Sequence, residues 1–279
     1  MWEARSRWLL AASLAASAFV VAQMAMFVLK VVFCVRMPFV LFDYCVAGFR
    51  YLGFPISLPL MSAVIVSTLA VCLRFAIREA GFSRRFGRML RYAADRRGTR
   101  RYARRFGFGE RELTVIRDEA PVAMTIGFVR PRIVLSTGLL RLLDPSEIAA
   151  VIAHERHHML RRDPLALFAL SLMRRALWYV PLIGWTEDKY RMAIEVMADR
   201  HAIAASGSAK ALGSALLKLL RQGGAAAGPA ASASFADASV NVRIRLLLDP
   251  HYRPSLRPPV RSTLLSLAML GLLLLAAHG

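Results

Sequence analysis

The sequence predicts a mostly helical protein with a small antiparallel β-sheet, tied to a membrane by about three crossing helices. Three observations lead there. The 279 residues are 57% hydrophobic, above the share usual for a soluble domain. Many of the apolar residues gather in runs of bilayer-crossing length. Between those runs lies a stretch of short strand signals followed by a helix with a well-marked start.

Residues 8–29 form the first apolar run, with Gln23 as its only strongly polar interruption. Arg5 and Arg7 precede it as in a signal peptide, but no small-residue cleavage site and polar mature sequence follow. It reads as a retained helix. Residues 30–57, punctuated by Lys30, Arg36, Asp43 and Arg50, read as an interfacial or external loop. Residues 58–77 form the second run, with Arg74 near its end and able to snorkel. The third, Leu264–Ala277, just reaches spanning length when counted from Ser262. Cys34, Cys45 and Cys72 lie in or near these segments. They have no metal-ligand spacing and are too few for a disulfide framework.

The net charge is +20, from 38 Lys+Arg against 18 Asp+Glu. Arginines crowd residues 74–105, directly after an apolar run. By the positive-inside rule this segment faces the cytoplasm and its anionic lipids. Two crossings then place the N-terminus and everything after residue 106 on the cytoplasmic side. The aromatic interleaving needed for nucleic-acid binding is sparse, with Phe82, Phe86, Tyr92 and Tyr102, so no specific nucleic-acid partner is expected. The expected organisation is an N-terminal hairpin over residues 1–80, a basic linker over 81–105, a folded domain over 106–255 and a C-terminal crossing helix over 256–279.

Strand signals fall at Leu113–Ile116, Val122–Thr125 and Arg132–Ser136, between Asp, Pro and Gly turns. The helix that follows starts with Asp144 as N-cap, Pro145 at the first position and Glu147 completing a capping box. It runs to about Arg162, where Asp163-Pro164 ends it. Residues 186–206 and 207–222 read as further helices, and the Gly/Ala/Ser-rich 223–239 as a flexible loop.

The first long helix carries His154-Glu155-Arg156-His157-His158. Residues four apart share a helix face, so His154 and His158 can hold one metal ion, and zinc suits imidazole ligands. Glu155 is placed to take a proton from water at such an ion. His157 lies off that face and reads as a surface or packing histidine. A catalytic zinc site needs a third protein ligand and one open position. Glu187, Asp188, Glu195, Asp199 and His201 are candidates. Glu195 and Asp199 share a helix face, so one can bind while the other orients a ligand histidine from behind. Spacing alone leaves Glu195 and His201 both open.

HERHH, followed some forty residues later by EVMADRHA, resembles the gluzincin membrane peptidases with an HExxH plus ExxxD signature. These include the CAAX prenyl endopeptidase and heat-shock membrane protease group, and the peptidase domain of the beta-lactam sensor-transducers. APVAMTIGFVRPRIVLSTGLLRLLDPSEIAAVIAHERHH is similar to their edge strand, central strand and active-site helix, and VNVRIRLLLDP to their closing Arg-Ile-x-x-Leu element. The resemblance covers roughly residues 106–250. It implies an α+β zincin-like metallopeptidase domain, Zn²⁺ as cofactor, Glu195 as third ligand and Asp199 behind a ligand histidine. It also implies that substrate adds as an extended strand near Val122–Thr125. The oxyanion stabiliser is left open among His201, Tyr190 and Arg200. The sensors carry an external penicillin-binding domain after their last span, whereas this sequence ends at Gly279.

Two functions follow as expectations. One is an inner-membrane, multi-pass zinc endopeptidase with its peptidase domain in the cytoplasm, acting on membrane-near or regulatory proteins. The other is a signal transducer acting through a partner and a cytoplasmic transcriptional repressor. Both require His158 and Glu195 on the same side of the bilayer. Residues 165–185 are long enough for one crossing and too short for two, so they are expected not to cross.

Overall fold

The computed structural model describes residues 2–33, 58–109, 111–222, 233–249 and 258–275. It is mostly helical, as the sequence predicts. The described elements are α1 (Trp2–Phe33), α2 (Leu58–Ala93), α3 (Arg96–Phe106), β1 (Leu113–Ile116), β2 (Ala123–Ile126), β3 (Arg132–Ser136), α4 (Thr137–Leu142), α5 (Pro145–Arg161), α6 (Asp163–Ala176), α7 (Pro181–Ser206), α8 (Ala209–Arg221), α9 (Ala233–Leu248) and α10 (Val260–Leu275). Cα proximity divides the chain into two compact units. One comprises Met1–Ala80, Ala169–Lys189 and Leu256–Gly279, the other Gly81–Phe168 and Tyr190–Ser255.

The three strands lie where the sequence puts them, but the sheet is mixed rather than antiparallel. The order is β1-β3-β2. Central β3 pairs antiparallel with β2, Ala123 opposite Leu135, and parallel with β1, Leu113 opposite Ile133. Strand signals locate extended segments without fixing their direction. A parallel pair needs a crossover, and residues 117–131, which include β2, make it here. Ser136 ties the turn together. Its hydroxyl donates to the Ala120 carbonyl, accepts from the Val122 amide and caps α4 through the Leu139 amide. Gly138 is required beside it, because a Cβ there would run into the Glu119 carbonyl.

Leu113, Val115, Ile133 and Leu135 are fully buried and pack with Leu139, Ile148 and Ile152, so the sheet and α5 share a core. The start of α5 is built as the sequence indicates. Pro145 opens it, and the Asp144 amide donates to Glu147 Oε2 at 2.9 Å. Glu147 is itself buried and accepts from Ser214 Oγ at 2.6 Å and Lys218 Nζ at 2.8 Å, which fastens α8 to this end. Burial pushes its carboxyl upward, but the bonds from Lys218 and Ser214 prevail and hold it below the usual carboxylate range.

The other end of α5 also falls where the sequence puts it, though by a left-handed turn and not by a loop. The helix stops at Arg162, the one described non-glycine residue with positive φ, at 53°. A new helix, α6, then starts at once at Asp163. Pro164 falls in its first turn, where the missing N–H costs no hydrogen bond.

No helix among the described residues is long and apolar enough to cross a membrane. Residues 165–185 fall on α6 and the start of α7, separated by residues 177–180. The 14 residues of α6 reach about 21 Å, short of the roughly 30 Å hydrocarbon core. Residues 233–239, expected in a loop, lie in α9. Of the interfacial or external loop expected at 30–57, residues 30–33 belong to α1; residues 34–57 with Cys34 and Cys45, and the rest of the 223–239 loop, lie outside the described residues. Cys72 is a free thiol.

Candidate metal centre

Helix periodicity presents the two half-sites. His154 and His158 are one turn apart on α5, and Glu195 and Asp199 are one turn apart on α7. The fold brings the two faces together. His154 Nε2 and His158 Nε2 lie 3.1 Å apart. Glu195 Oε2 is 3.5 Å from the first, and Glu195 Oε1 is 3.7 Å from the second. One ligand atom from each of the three converges within 4.8 Å of the others. Ligand atoms about 2.0–2.2 Å from a tetrahedral ion stand about 3.3–3.6 Å apart, so these residues fit a zinc-sized ion. Glu195 keeps 29% of its side chain exposed, so the group opens on one side. His201 is not in it. Its ring faces His157, with centroids 5.2 Å apart.

Each histidine is backed by a carboxylate. Asp199 Oδ1 lies 2.9 Å from His154 Nδ1, a contact without the alignment of a full hydrogen bond. Asp163 Oδ2 is 2.8 Å from His158 Nδ1. Both Nε2 atoms are thereby directed at Glu195, the arrangement that fixes ring orientation in metal sites. Asp163 has no signal in the sequence beyond a helix stop. It reaches His158 only because Arg162 turns left-handed.

Arg243, from α9, binds both oxygens of Asp199 at 2.8 Å and approaches Glu195 Oε2 at 3.0 Å. It starts the Arg-Ile-x-x-Leu element noticed in the sequence, but its role is visible only once α9 packs. The charges set one another's protonation. Burial drives the Glu195 carboxyl upward, while Arg243 and the two histidines outweigh it and hold it far below the usual range. Asp199 is likewise lowered, against burial, by Arg243 and His154. Burial pulls His154 down, but its contacts with Asp199 and Glu195 carry it up to about 10. The pocket is therefore built to receive positive charge, whether a proton or a metal ion.

Glu155 is buried beside the ligands. The Thr125 hydroxyl on β2 contacts Glu155 Oε2 at 2.7 Å and the Glu155 carbonyl at 2.9 Å. β2 is one of the two outer strands of the sheet, so the residue that steadies Glu155 sits on an edge. His157 lies off the ligand face, as expected. Burial lowers its imidazole to about 4. Of the residues weighed for an oxyanion role, Tyr190 is buried and its phenol is pushed up to about 12 by burial and Asp163. His201 faces His157, and Arg200 is exposed.

Comparison with known proteins meets this geometry. The sequence profile described as BlaR1 peptidase M56 matches residues 58–248, well over half of the chain. A protease HtpX homolog of Thermoplasma acidophilum is 46% identical over 48 residues, covering 17% of this chain and 15% of that protein. The regulatory protein BlaR1 of Bacillus licheniformis is 28% identical over 76 residues, covering 27% of this chain and 12% of that protein. The chain thus aligns with under a sixth of the length of either relative. With the profile spanning both the sheet and the two half-sites, the chain belongs to the BlaR1 peptidase M56 family, within the BlaR1/HtpX group of membrane metallopeptidases.

Proposed function

We propose that this protein is an integral-membrane zinc-dependent endopeptidase, cleaving peptide bonds of membrane-near or regulatory proteins from the cytoplasmic side of the inner membrane. The convergence of His154, His158 and Glu195 beside Glu155 carries the reading. A zinc ion held by the three would supply Lewis acidity toward both water and the scissile carbonyl. Glu155 takes the proton of the attacking water and returns it to the leaving amine. Asp163 keeps the His158 imidazole in the tautomer that leaves Nε2 free, and Asp199 sets its negative charge against His154 Nδ1. Arg243 neutralises part of the acidic charge. An extended substrate segment adds to the outer edge of β2, which supplies main-chain hydrogen bonds.

The membrane part is supported by the number of large apolar side chains left exposed in the unit that holds α1 and α10. Trp8, Phe19, Val66, Leu73, Ile77, Leu264 and Leu267 are each more than half exposed or at half, while Ser17, Gln23, Thr68 and Ser266 are buried. Ser266 Oγ accepts from the Leu182 amide. The interior also holds Val20, Met24, Phe27 and Ile65, so apolar side chains lie on both sides with a few polar ones buried between helices, as in helices packed within lipid. A second reading, a transducer acting through a partner and a cytoplasmic repressor, draws on the match to a protein named regulatory protein BlaR1. Disappearance of a repressor on induction only with intact Glu155 would join the two.

The test is metal content of the detergent-purified chain. About one zinc per chain is expected, lost in both His154→Ala and Glu195→Ala. Zinc lost only with His154→Ala moves the third ligand elsewhere. No zinc after reconstitution removes the enzyme reading. Thr125→Val is expected to retain zinc and to lower kcat about 10- to 100-fold with KM little changed, and Thr125→Ser to restore most of it. Steady-state cleavage of β-casein checks this. A change confined to KM would assign Thr125 to substrate binding instead.

A further inference from the structure

Residues 81–109 contain ten arginines, no lysine and one acid, Asp95. All ten arginines are exposed: Arg84, Arg85, Arg88 and Arg91 on α2, and the six of α3. At about 100° per residue, the six arginines of α3 occupy one half of its circumference. The other half is used up inside the unit. Ala103 is 2% exposed, and Tyr102 and Phe106 pack against the core around Leu113 and Ile133. Thr99 Oγ1 accepts from the Val115 amide, and the Asp95 amide donates to the Val115 carbonyl. The helix is thus fixed to β1 with its arginine face turned outward.

That face is unfavourable for the helix itself. Arg96 and Arg97 stand at the N-terminal, positive end of the dipole, where Asp95 as N-cap, accepting from the Arg97 amide at 3.2 Å, is the one acid, while Arg104 and Arg105 suit the C-terminal end. Arg96 with Arg100, Arg97 with Arg101, Arg100 with Arg104, and Arg101 with Arg105 are like charges one turn apart, which repel. Asp95 offsets only part of this repulsion, and a polyanionic partner would relieve more of it. The neighbouring surface of α2 selects the kind of polyanion. Between its arginines, α2 exposes Phe82 (42%), Met89 (57%) and Tyr92 (92%). Large apolar side chains mixed with arginines suit the headgroup boundary of a bilayer, where the first sink and the second meet phosphate. Nucleic acid offers its phosphates but no apolar layer for Met89 and Phe82.

We infer that the arginine face of α3, together with Arg84, Arg85, Arg88 and the apolar side chains of α2, is a docking surface for anionic phospholipid headgroups. It holds the unit that carries the metal centre against an acidic leaflet. The inference does not require metal or cleavage, so it stands or falls apart from the peptidase reading.

The experiment titrates the full chain, purified in neutral detergent, with mixed micelles of dioleoylphosphatidylglycerol or dioleoylphosphatidylcholine, with binding read by thermophoresis. At 50 mM NaCl phosphatidylglycerol is expected to bind at least tenfold more tightly than phosphatidylcholine. Screening at 300 mM NaCl should remove most of that difference. The triple variant Arg97→Gln, Arg101→Gln, Arg104→Gln should lose it at low salt, since each basic residue near an acidic surface contributes roughly fivefold. The corresponding Arg→Lys triple should keep it. An unchanged far-UV spectrum certifies that both variants are folded. A preference kept by the Gln triple, or lost equally in the Lys triple, overturns the inference. Displacement of phosphatidylglycerol by a 20-base-pair DNA at a lower concentration than the lipid itself would assign the face to nucleic acid instead.

Discussion

Glu155→Gln is expected to reduce cleavage by roughly a hundred- to ten-thousandfold while leaving zinc bound. Glutamine keeps the size of the side chain, and its amide oxygen can still accept from Thr125, which lies 2.7 Å from Glu155 Oε2 in the native protein. What it loses is the capacity to take up a proton. The metal ligands are untouched, so zinc content should equal that of the wild type. β-Casein digestion and metal analysis on the same preparation decide the matter. Cleavage at near wild-type rate would remove Glu155 as the base. Loss of cleavage together with loss of zinc would show instead that the substitution has disturbed the site.

The second large effect falls on a residue that touches no reacting atom. Arg243 is the cation between Glu195 and Asp199, and its own side chain is only 15% exposed. Removing one partner of a buried charge cluster leaves the others without compensation and costs about 3–5 kcal/mol. For a unit of this size that is about 10 °C in Tm. Arg243→Ala should therefore unfold markedly earlier than the wild type when both are stripped of metal with EDTA. The sign of the zinc effect is the informative part. A divalent cation held by Glu195 replaces much of the missing positive charge, so the deficit should shrink on zinc loading. An equal deficit with and without zinc would mean that Arg243 acts by packing α9 and not by charge. A Tm unchanged in the apoprotein would refute the electrostatic argument altogether.

Much of the site was legible in the sequence because its first half is local. HExxH needs only the 3.6-residue period to place two imidazoles on one face, and the capping box at Asp144 and Glu147 fixes where that helix begins. Glu195 and Asp199 were legible as a pair, but only the fold shows that Glu195 lies with the two histidines while His201 faces His157. Asp163, Thr125 and Arg243 were not legible as site residues. The first reads in the sequence as a helix stop, because Asp-Pro terminates helices and the left-handed turn at Arg162 is invisible to propensity. The second lies on a strand whose partner helix is 30 residues away. The third lies on α9, whose first turns were hidden in a stretch rich in Gly, Ala and Ser. Sheet direction was missed for a related reason: period-two patterns mark strands, but pairing depends on how residues 117–131 carry the chain back.

The turn at Arg162 also divides the site by how it comes to exist. His154, Glu155, His158 and Asp163 lie within ten residues of sequence, so a two-imidazole chelate with one ring already steered can form as soon as α5 and the head of α6 fold. Glu195, Asp199 and Arg243 arrive from 40 to 90 residues further along the chain and must wait for slow, non-local closure. The local half of the candidate site is thus set by one helix and its left-handed end, and the third candidate ligand, Glu195, comes only with long-range packing. Under the peptidase reading, the complete group would therefore exist only after the packing of α7 and α9 that completes this unit.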